Sequence, residues 1–481
     1  MNPTIRNVQT YSGSSYMTII VATQVGANKN TARIWLQGDY LTRGGFEVNT
    51  EYKRSTLDGK IILTIDHNTG THRVSRKART GQPVIDILNK MVGDLYEVGT
   101  KIKAVIRRGK IVIRRATQSV KTYAREARVL GRLLRGEPLN VASLFHGGGI
   151  LSKAIHMGLA AAGIQSTTVF ASELEGRYLD ASLSANPELF TERTILAVGP
   201  LEDVDLPEKA TADILEAGIP CTGASLSGRS KGKLEHAESH EAAGAMFFAT
   251  LQWIQRLQPA ISILENVPAY QNTASMAVIR SMLKNWGYEL CEMVLNGCEY
   301  GALENRNRLV VVAVSSGLYE LMDGFEVAPL KVKPATLAEA LEPIGEDDNL
   351  WDKYEHLVTK EARDIKAGKG FRRQLVTGDS ETVPTITRQY QKGRSTDPFL
   401  RHPSNPDLSR LFTPVEHARI KGVPAGYIEA TGTPKTIAHE ILGQSIVFPV
   451  FEAVGFSIAQ ALHRACPAPT SVPEPSYIAA A

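Results

Sequence analysis

"NVASLFHGGGILSKAI", residues 140–155, places a short apolar run, three consecutive glycines and a helix-like stretch in immediate succession. That order predicts a buried strand, a tight turn and a helix. Glycine lets backbone amides and a helix N-terminus come close to a nucleotide-like ligand. Downstream, "TVFASELEG" (168–176) reads as a second strand ending at Glu173, whose carboxylate suits the hydroxyls of a ribose. Neither GxGxxG nor a Walker sequence is present, which argues against a dinucleotide or a triphosphate. A nucleoside without a long phosphate tail fits better. From Leu139 onward the expected class is therefore α/β.

Two further strands extend this reading. "DILEAGIPC" (213–221) delivers Cys221, and "QPAISILENVP" (258–268) delivers Glu265 and Asn266. If both run parallel, a thiol and a carboxylate reach the carboxyl edge of one sheet, where open α/β folds bind their ligands. "CEYGALENRNRLVVVAV" (298–314) presents Arg306 and Arg308, expected to alternate on one side of a strand. Taken singly, a buried thiol and a salt-bridged carboxylate explain these residues as well. The four cysteines (221, 291, 298 and 466) form no CxxC pair, so neither a disulfide framework nor a zinc site is indicated.

The 481 residues, 43% of them hydrophobic, suffice for two or three domains. No apolar run approaches a membrane span and the N-terminus lacks signal-peptide character, so a cytoplasmic protein is expected. The net charge of +4 conceals an asymmetry: residues 73–136 hold seventeen Lys/Arg against four Asp/Glu. Such a concentration is the footprint of a polyanion binder or, more plainly, a solvated basic face. Inside it, "YEVGTKIKAVIRRGKIVI" (96–113) repeats "FEVNTEYKRSTLDGKIIL" (46–63) at an offset of 50, with hairpin turns expected at Asp58-Gly59 and Arg108-Gly109. Arg107, Arg108 and Arg114 are the DNA-binding candidates here. Residues 32–48 and 59–65 resemble the SymE-type and AbrB-like swapped-hairpin families, which implies a small β-barrel domain over residues 1–120. Residues 121–138 then read as a basic helix or linker.

Six stretches in fixed order resemble the DNA (cytosine-5) methyltransferase family over about residues 140–465. They are "SLFHGGGI", "GIPCTGAS", "ENVP", "YGALENRNR", "SRLFTPVEHARIKGVP" and "ILGQSIVFPV". The resemblance implies a Rossmann-like fold that uses S-adenosylmethionine and acts on double-stranded DNA after flipping the base. It makes Cys221 the nucleophile and Glu265 the partner of ring nitrogen 3, with Asn266, Arg306 and Arg308 supporting them. Phe145, His146, Gly147, Gly149, Glu173, Leu201, Pro220, Gln444 and Ser445 are the implied donor-binding positions. Ser225, Arg229, Lys231 and Lys233 fall on the loop that meets DNA. The implied domains are a catalytic region over 139–330, a small target-recognition region over 331–390, late motifs over 391–466 and a disordered tail over 467–481.

The sequence also departs from the family pattern. Thr222 follows the nucleophile where Gln is usual, "GPLED" (199–203) lacks the Asp that meets adenine, Leu303-Glu304 replace Pro-Gln, and Gln444 replaces Asn. With His146 and Lys153 as possible cations beside the glycines, these changes raise a variant in which carboxy-S-adenosylmethionine donates a carboxymethyl group. An RNA cytosine-5 methyltransferase and an inactive DNA-binding protein are the remaining alternatives. The resemblance implies a bacterial or phage-infected host cell; a monomer is expected, and a partner nuclease is not identified.

Overall fold

A computed structural model describes residues 17–220, 245–322 and 325–466, and the chain divides into two compact units, residues 1–121 and 122–481. In the first unit the strands are β1 (Ile19–Gln24), β2 (Gly26–Asn28), β3 (Thr31–Gln37), β4 (Glu51–Leu57), β5 (Lys60–Ile65), β6 (His72–Arg73), β7 (Ser75–Arg76), β8 (Pro83–Leu88), β9 (Lys101–Arg107) and β10 (Lys110–Arg115). The sequence repeat reappears as two hairpins, β4–β5 and β9–β10, that pair with each other through β5 and β10. β3 and β8, the other corresponding strands, also pair. Two sheets result, ordered β1-β9-β10-β5-β4-β6 and β2-β3-β8-β7.

Strict alternation in these strands explains the shared core. Ile61, Leu63, Ile102, Ala104, Ile106, Ile111 and Ile113 are fully buried in one cluster with Ile34, Leu36, Ile85 and Ile87, while the intervening Lys, Arg and Thr side chains face outward. At the first hairpin Asp58 and Gly59 both take positive φ (48° and 67°), the requirement of a two-residue turn that matches strand twist.

In the second unit the central strands are β11 (Leu139–Leu144), β12 (Ser166–Glu173), β13 (Ile195–Val198), β14 (Ile214–Gly218), β15 (Ile261–Asn266), β16 (Tyr288–Asn296), β17 (Glu304–Asn305) and β18 (Asn307–Ser315). The sheet order is β13-β12-β11-β14-β15-β18-β16. β11 to β15 run parallel, and β18 is antiparallel to both its neighbours. The strand order reverses beside β11, which opens a crevice at the carboxyl ends of β11 and β14. β14, β15 and β18 read "ILEAG", "ISILEN" and "NRLVVVAVS", the nearly continuous apolar runs of strands covered on both faces. The helix Ile150–Ala161 packs with the late helix Phe448–Ala465 in one cluster, and the helix Met246–Leu257 belongs to a second cluster.

β19 (Gln374–Val376), β20 (Val383–Pro384), β21 (Pro398–Arg401) and β22 (Ser409–Arg410) form two small sheets, with β17 pairing β20. Leu303, Leu337, Ile386, Tyr390, Phe412 and Ile420 share one buried cluster, so the interval after residue 331 packs into the framework. Glu416 closes a capping box with Thr413 and takes Arg410 in a buried two-point contact. Among the described residues no single helix is long and apolar enough to cross a membrane.

The basic stretch near residue 121 corrects the charge reading in part. It is a helix, Thr117–Leu134, and several of its arginines serve the second unit's own structure. Arg125 is fully buried, lies 3.6 Å from the centre of the Tyr288 ring, and donates to Ser315 Oγ, Trp286 O and Gly287 O. Arg128 and Arg132 pair with the buried Asp213, while Arg128 also donates to Ala212 O and Gln258 O. Arg135 pairs with Glu137. The carbonyls at these strand and helix ends lack partners in their own elements, and arginine's planar fork supplies donors to them. These positions are thereby withdrawn from the polyanion footprint. Arg125→Met should lower unfolding stability by about 2–4 kcal/mol, since one buried and two partly buried acceptors lose their donor. Chemical denaturation checks this, and a midpoint equal to the parent's would reject the role.

Candidate active site

β11 ends in the predicted turn. Phe145, Gly147 and Gly149 take positive φ (55°, 58° and 78°), and the helix Ile150–Ala161 begins directly afterward. Gly149 cannot carry a side chain, because a Cβ there would fall 2.1 Å from Ser182 Oγ. Glu173, at the end of β12, is fixed to this turn: one carboxylate oxygen accepts the Gly147 amide at 2.7 Å and the other accepts the Glu175 amide at 3.0 Å. Each oxygen keeps acceptor capacity for a further donor. Gln444, the last residue of the helix Lys435–Gln444, comes to the same turn, its Nε2 lying 3.6 Å from where a Gly147 Cβ would project. An acidic acceptor, a bare glycine backbone and an amide side chain thus meet at the carboxyl end of β11, and this set fits a nucleoside donor.

Leu201 follows β13 in a short 3-10 turn, and its side chain belongs to the buried apolar cluster while its carbonyl accepts from Trp253. Any donor contact there is apolar or through the backbone. Ser445 turns its hydroxyl onto Leu442 O at 2.7 Å.

The second half of the site lies two strands away. Glu265 on β15 pairs with Arg308 on β18 at 2.8 Å, with both side chains largely buried. Its Oε2 is 3.5 Å from where a Gly218 Cβ would project, so the carboxylate lies beside the end of β14. Asn266 is buried and donates to Ile219 O at 3.2 Å while accepting the Val267 amide at 2.8 Å. Asn266 therefore holds the Ile219-Pro220 backbone that leads into Cys221. Cys221 itself, with Ser225, Arg229, Lys231 and Lys233, lies outside the described residues. Arg107, Arg108 and Arg114 belong to the β9–β10 hairpin of the first unit.

Two expectations change. Arg306 does not share Arg308's partner. The strand is interrupted between β17 and β18 at Arg306, which donates to Ile386 O and Gly443 O and faces Glu304 at 3.4 Å. It clamps the backbone next to Gln444 and stands apart from Glu265. His146 and Lys153 also fail as free cations. The His146 ring is buried between Ser143 Oγ (2.8 Å) and Ser182 Oγ (2.7 Å), and burial lowers its pKa to about 4. Lys153 is paired with Glu188. Neither is available to a carboxylate on the donor, so the carboxymethyl variant loses its electrostatic basis.

The sequence reading missed two braces. Tyr427 donates to Gly148 O at 2.5 Å and accepts from Asn186 at 2.8 Å, tying the glycine turn to a late helix. Lys421 has no exposure and pairs with the equally buried Glu304 at 2.8 Å, while reaching Ser445 O at 3.3 Å. Burial pushes the Lys421 pKa down to about 7, whereas Lys421 and Arg306 together hold Glu304 charged. The signal was Glu304 itself, an acid where the family pattern has Gln.

Comparison with known proteins follows this geometry. The family model for C-5 cytosine-specific DNA methylases matches residues 139–460. The chain belongs to that family. This methyltransferase is 26% identical over 306 residues to type II methyltransferase M1.ScrFI of Lactococcus lactis subsp. cremoris, covering 62% of this chain and 73% of that protein. It is 27% identical over 303 residues to M.NlaX of Neisseria lactamica, covering 61% and 89%. Among solved structures, the S. pombe Dnmt2 methyltransferase superposes with a TM-score of 0.50 at 17% identity, over 68% of this chain and 99% of that one. The Entamoeba histolytica methyltransferase EhMeth gives 0.51 at 17% identity, over 68% and 98%. These two likenesses show the shared fold. The family chemistry is methylation of DNA cytosine at carbon 5, and the chain is an enzyme of that class.

Two outcomes follow, one from the Lys421 brace and one from the buried His146. Lys421→Met leaves Glu304 buried with one cation fewer and should cost about 3–5 kcal/mol, whereas Glu304→Gln with Lys421→Met should recover much of that loss. A double variant no more stable than the single one would refute the pairing. For His146, the folded-state pKa lies below its ordinary 6.5, so the unfolded chain binds the extra proton. Its contribution is fully present above about pH 6.5 and is lost as pH falls toward 4, by about 3 kcal/mol at most. Denaturation at pH 7, 5.5 and 4.5 should show a shallower acid decline for His146→Gln than for the parent. Parallel declines would contradict the buried neutral state.

Proposed function

We propose that the enzyme uses Cys221 as nucleophile and S-adenosylmethionine as donor to methylate cytosine in double-stranded DNA, in a type II modification setting like that of its named relatives. The observation that carries this reading is the Glu265–Arg308 pair beside the end of β14, with Asn266 bonded to the residue two before Cys221. When bound, S-adenosylmethionine supplies a methyl group made electrophilic by its sulfonium. Phe145, Gly147 and Gly149 shape the turn against which it rests, Glu173 accepts from its ribose, and Pro220, Leu201, Gln444 and Ser445 bound the remainder.

The Cys221 thiolate forms a bond to ring carbon 6, and the electron pair of the carbon 5–carbon 6 double bond shifts toward carbon 5. Glu265 holds a proton at ring nitrogen 3 and so offsets the charge delivered by the thiolate. Arg308 orients Glu265 and keeps it from turning away from the base. Carbon 5 uses that pair to bond the methyl group, whose former bonding pair stays on the donor sulfur; a base then takes the carbon 5 proton, and the released C–H pair restores the double bond as Cys221 leaves as thiolate. Asn266 and Arg306 are positioning residues, acting through Ile219 and Gly443. Ser225, Arg229, Lys231 and Lys233 contact phosphates on the loop after the nucleophile.

The test is incubation with donor and either duplex DNA or RNA, followed by nucleoside mass spectrometry. A methyl increment on deoxycytidine is expected, abolished by Cys221→Ala with DNA binding retained. Glu265→Gln should lower kcat by about 10²–10⁴-fold. Turnover retained in Cys221→Ala, or product confined to RNA, would overturn the reading. A carboxymethyl product formed from carboxy-S-adenosylmethionine would reinstate the donor variant.

A further inference from the structure

The outer face of the six-stranded sheet in the first unit carries charge in a pattern its own fold does not need. Lys110 stands directly opposite Arg107, and Arg114 directly opposite Lys103, across the β9–β10 ladder. Like charges in register destabilise a strand pair. Lys60, from β5, joins Arg107, Lys110 and Arg114 around a cleft of about 260 Å³ whose floor is Val105 and Val112. Val112 is also in register with Ile62 on β5, and Val105 with Ile20 on β1. An aliphatic row therefore separates two cationic rows, spaced two residues apart along the strands, or roughly 7 Å.

None of Lys60, Arg107, Lys110 and Arg114 forms an ion pair with a described acid. Lys53 on the same face is paired with Asp66 and is set aside, and Lys103 donates to Thr117 Oγ1. The helical arginines, by contrast, are taken up by Asp213, Glu137 and backbone carbonyls. The basic excess thus divides into a structural part and an uncompensated sheet face.

We infer that this face, built on Lys60, Arg107, Lys110 and Arg114, is a docking surface for the phosphate backbone of duplex DNA. Its occupant is argued from charge and chemistry. A dense polyanion offsets the cross-strand repulsion that the unoccupied face bears. The face offers aliphatic side chains in place of the aromatic platforms on which single strands stack. Duplex DNA is also the substrate class of the second unit, and the inference rests on that family reading. Because its contacts are with phosphates, the face adds affinity without choosing a sequence.

The experiment uses the full chain with all four residues changed to Gln, and a second variant with Arg107→Gln and Lys110→Gln only. Binding to a duplex is measured between about 50 and 200 mM salt, with single-stranded RNA and anionic phospholipid vesicles as parallel arms. The slope of log affinity against log salt should fall by up to about 3–4 in the fourfold variant and by up to about 2 in the double variant, at about 0.9 per lost phosphate contact. Affinity for duplex should drop at least about tenfold near 100 mM salt. Without DNA at low salt, the variants should unfold no earlier than the parent, since like-charge pairs have been removed.

An unchanged duplex slope in both variants overturns the inference. So does a loss confined to RNA or to vesicles, which would assign the face to that partner. A chain that binds duplex through these residues yet makes no methylated base would refute the catalytic reading while leaving this surface in place.

Discussion

The reversal of strand order beside β11 is the constraint on which the catalytic unit depends. Successive parallel strands are added first on one side of β11, as β12 and β13, and then on the other, as β14 and β15. Connections leaving the two sides diverge, so the carboxyl ends of β11 and β14 border a space that no crossover fills. The glycine turn must follow β11 and the Ile219-Pro220 stretch must follow β14 for both to face it. Each strand then delivers its chemistry by length alone: Glu173 closes β12, and Glu265 and Asn266 close β15. Moving any of these residues by one position would place its side chain on the other face of the sheet.

Holding that edge in shape falls to residues distant in sequence. Tyr427 bonds Gly148 O, Asn266 bonds Ile219 O, Arg306 bonds Gly443 O and Lys421 reaches Ser445 O. Every one of these contacts satisfies a backbone carbonyl in a turn or at a helix end, where no ladder or helical partner exists. A side-chain donor there settles the hydrogen-bonding requirement of the turn and fixes its position at once. The Glu304–Lys421 pair carries a large desolvation cost. It is offset by a geometry in which one carboxylate meets two cations and the cations in turn meet the late-motif backbone. Rigidity at the glycine turn and the late-motif turn is thereby obtained through side chains buried in the framework.

Much of this was legible in the sequence, and for a physical reason. Period-two alternation, apolar runs and glycine turns record local geometry, so the strand–turn–helix at 140–155, the duplicated hairpins and the ends of β12, β14 and β15 could be read directly. Ordered motifs located Glu265, Asn266 and Arg308. What could not be read was the partner of each polar group. Arg306 and Arg308 look equivalent at alternate positions, yet a break in the strand sends one to Gly443 and leaves the other with Glu265. His146 looks like a cation beside the glycines until Ser143 and Ser182 enclose it. Lys421 and Tyr427 lie more than a hundred residues from the atoms they serve in strand β17 and the glycine turn, and apart from the acid at Glu304 no local pattern marks such pairs.

The same distinction separates the two kinds of basic residue. An arginine on a helix can be spent on carbonyls of neighbouring elements, as Arg125 and Arg128 are, because one face of the helix is packed and acceptors lie within reach of its fork. A cation on the solvent face of a sheet depends mainly on its cross-strand neighbours, and across β9 and β10 Lys110 faces Arg107 and Arg114 faces Lys103. Composition counts both alike, so a charge excess read from sequence overstates what an external partner can use. Register resolves the ambiguity: once pairing is known, cations facing acids or carbonyls belong to the fold, and cations facing cations are those left for an external anion.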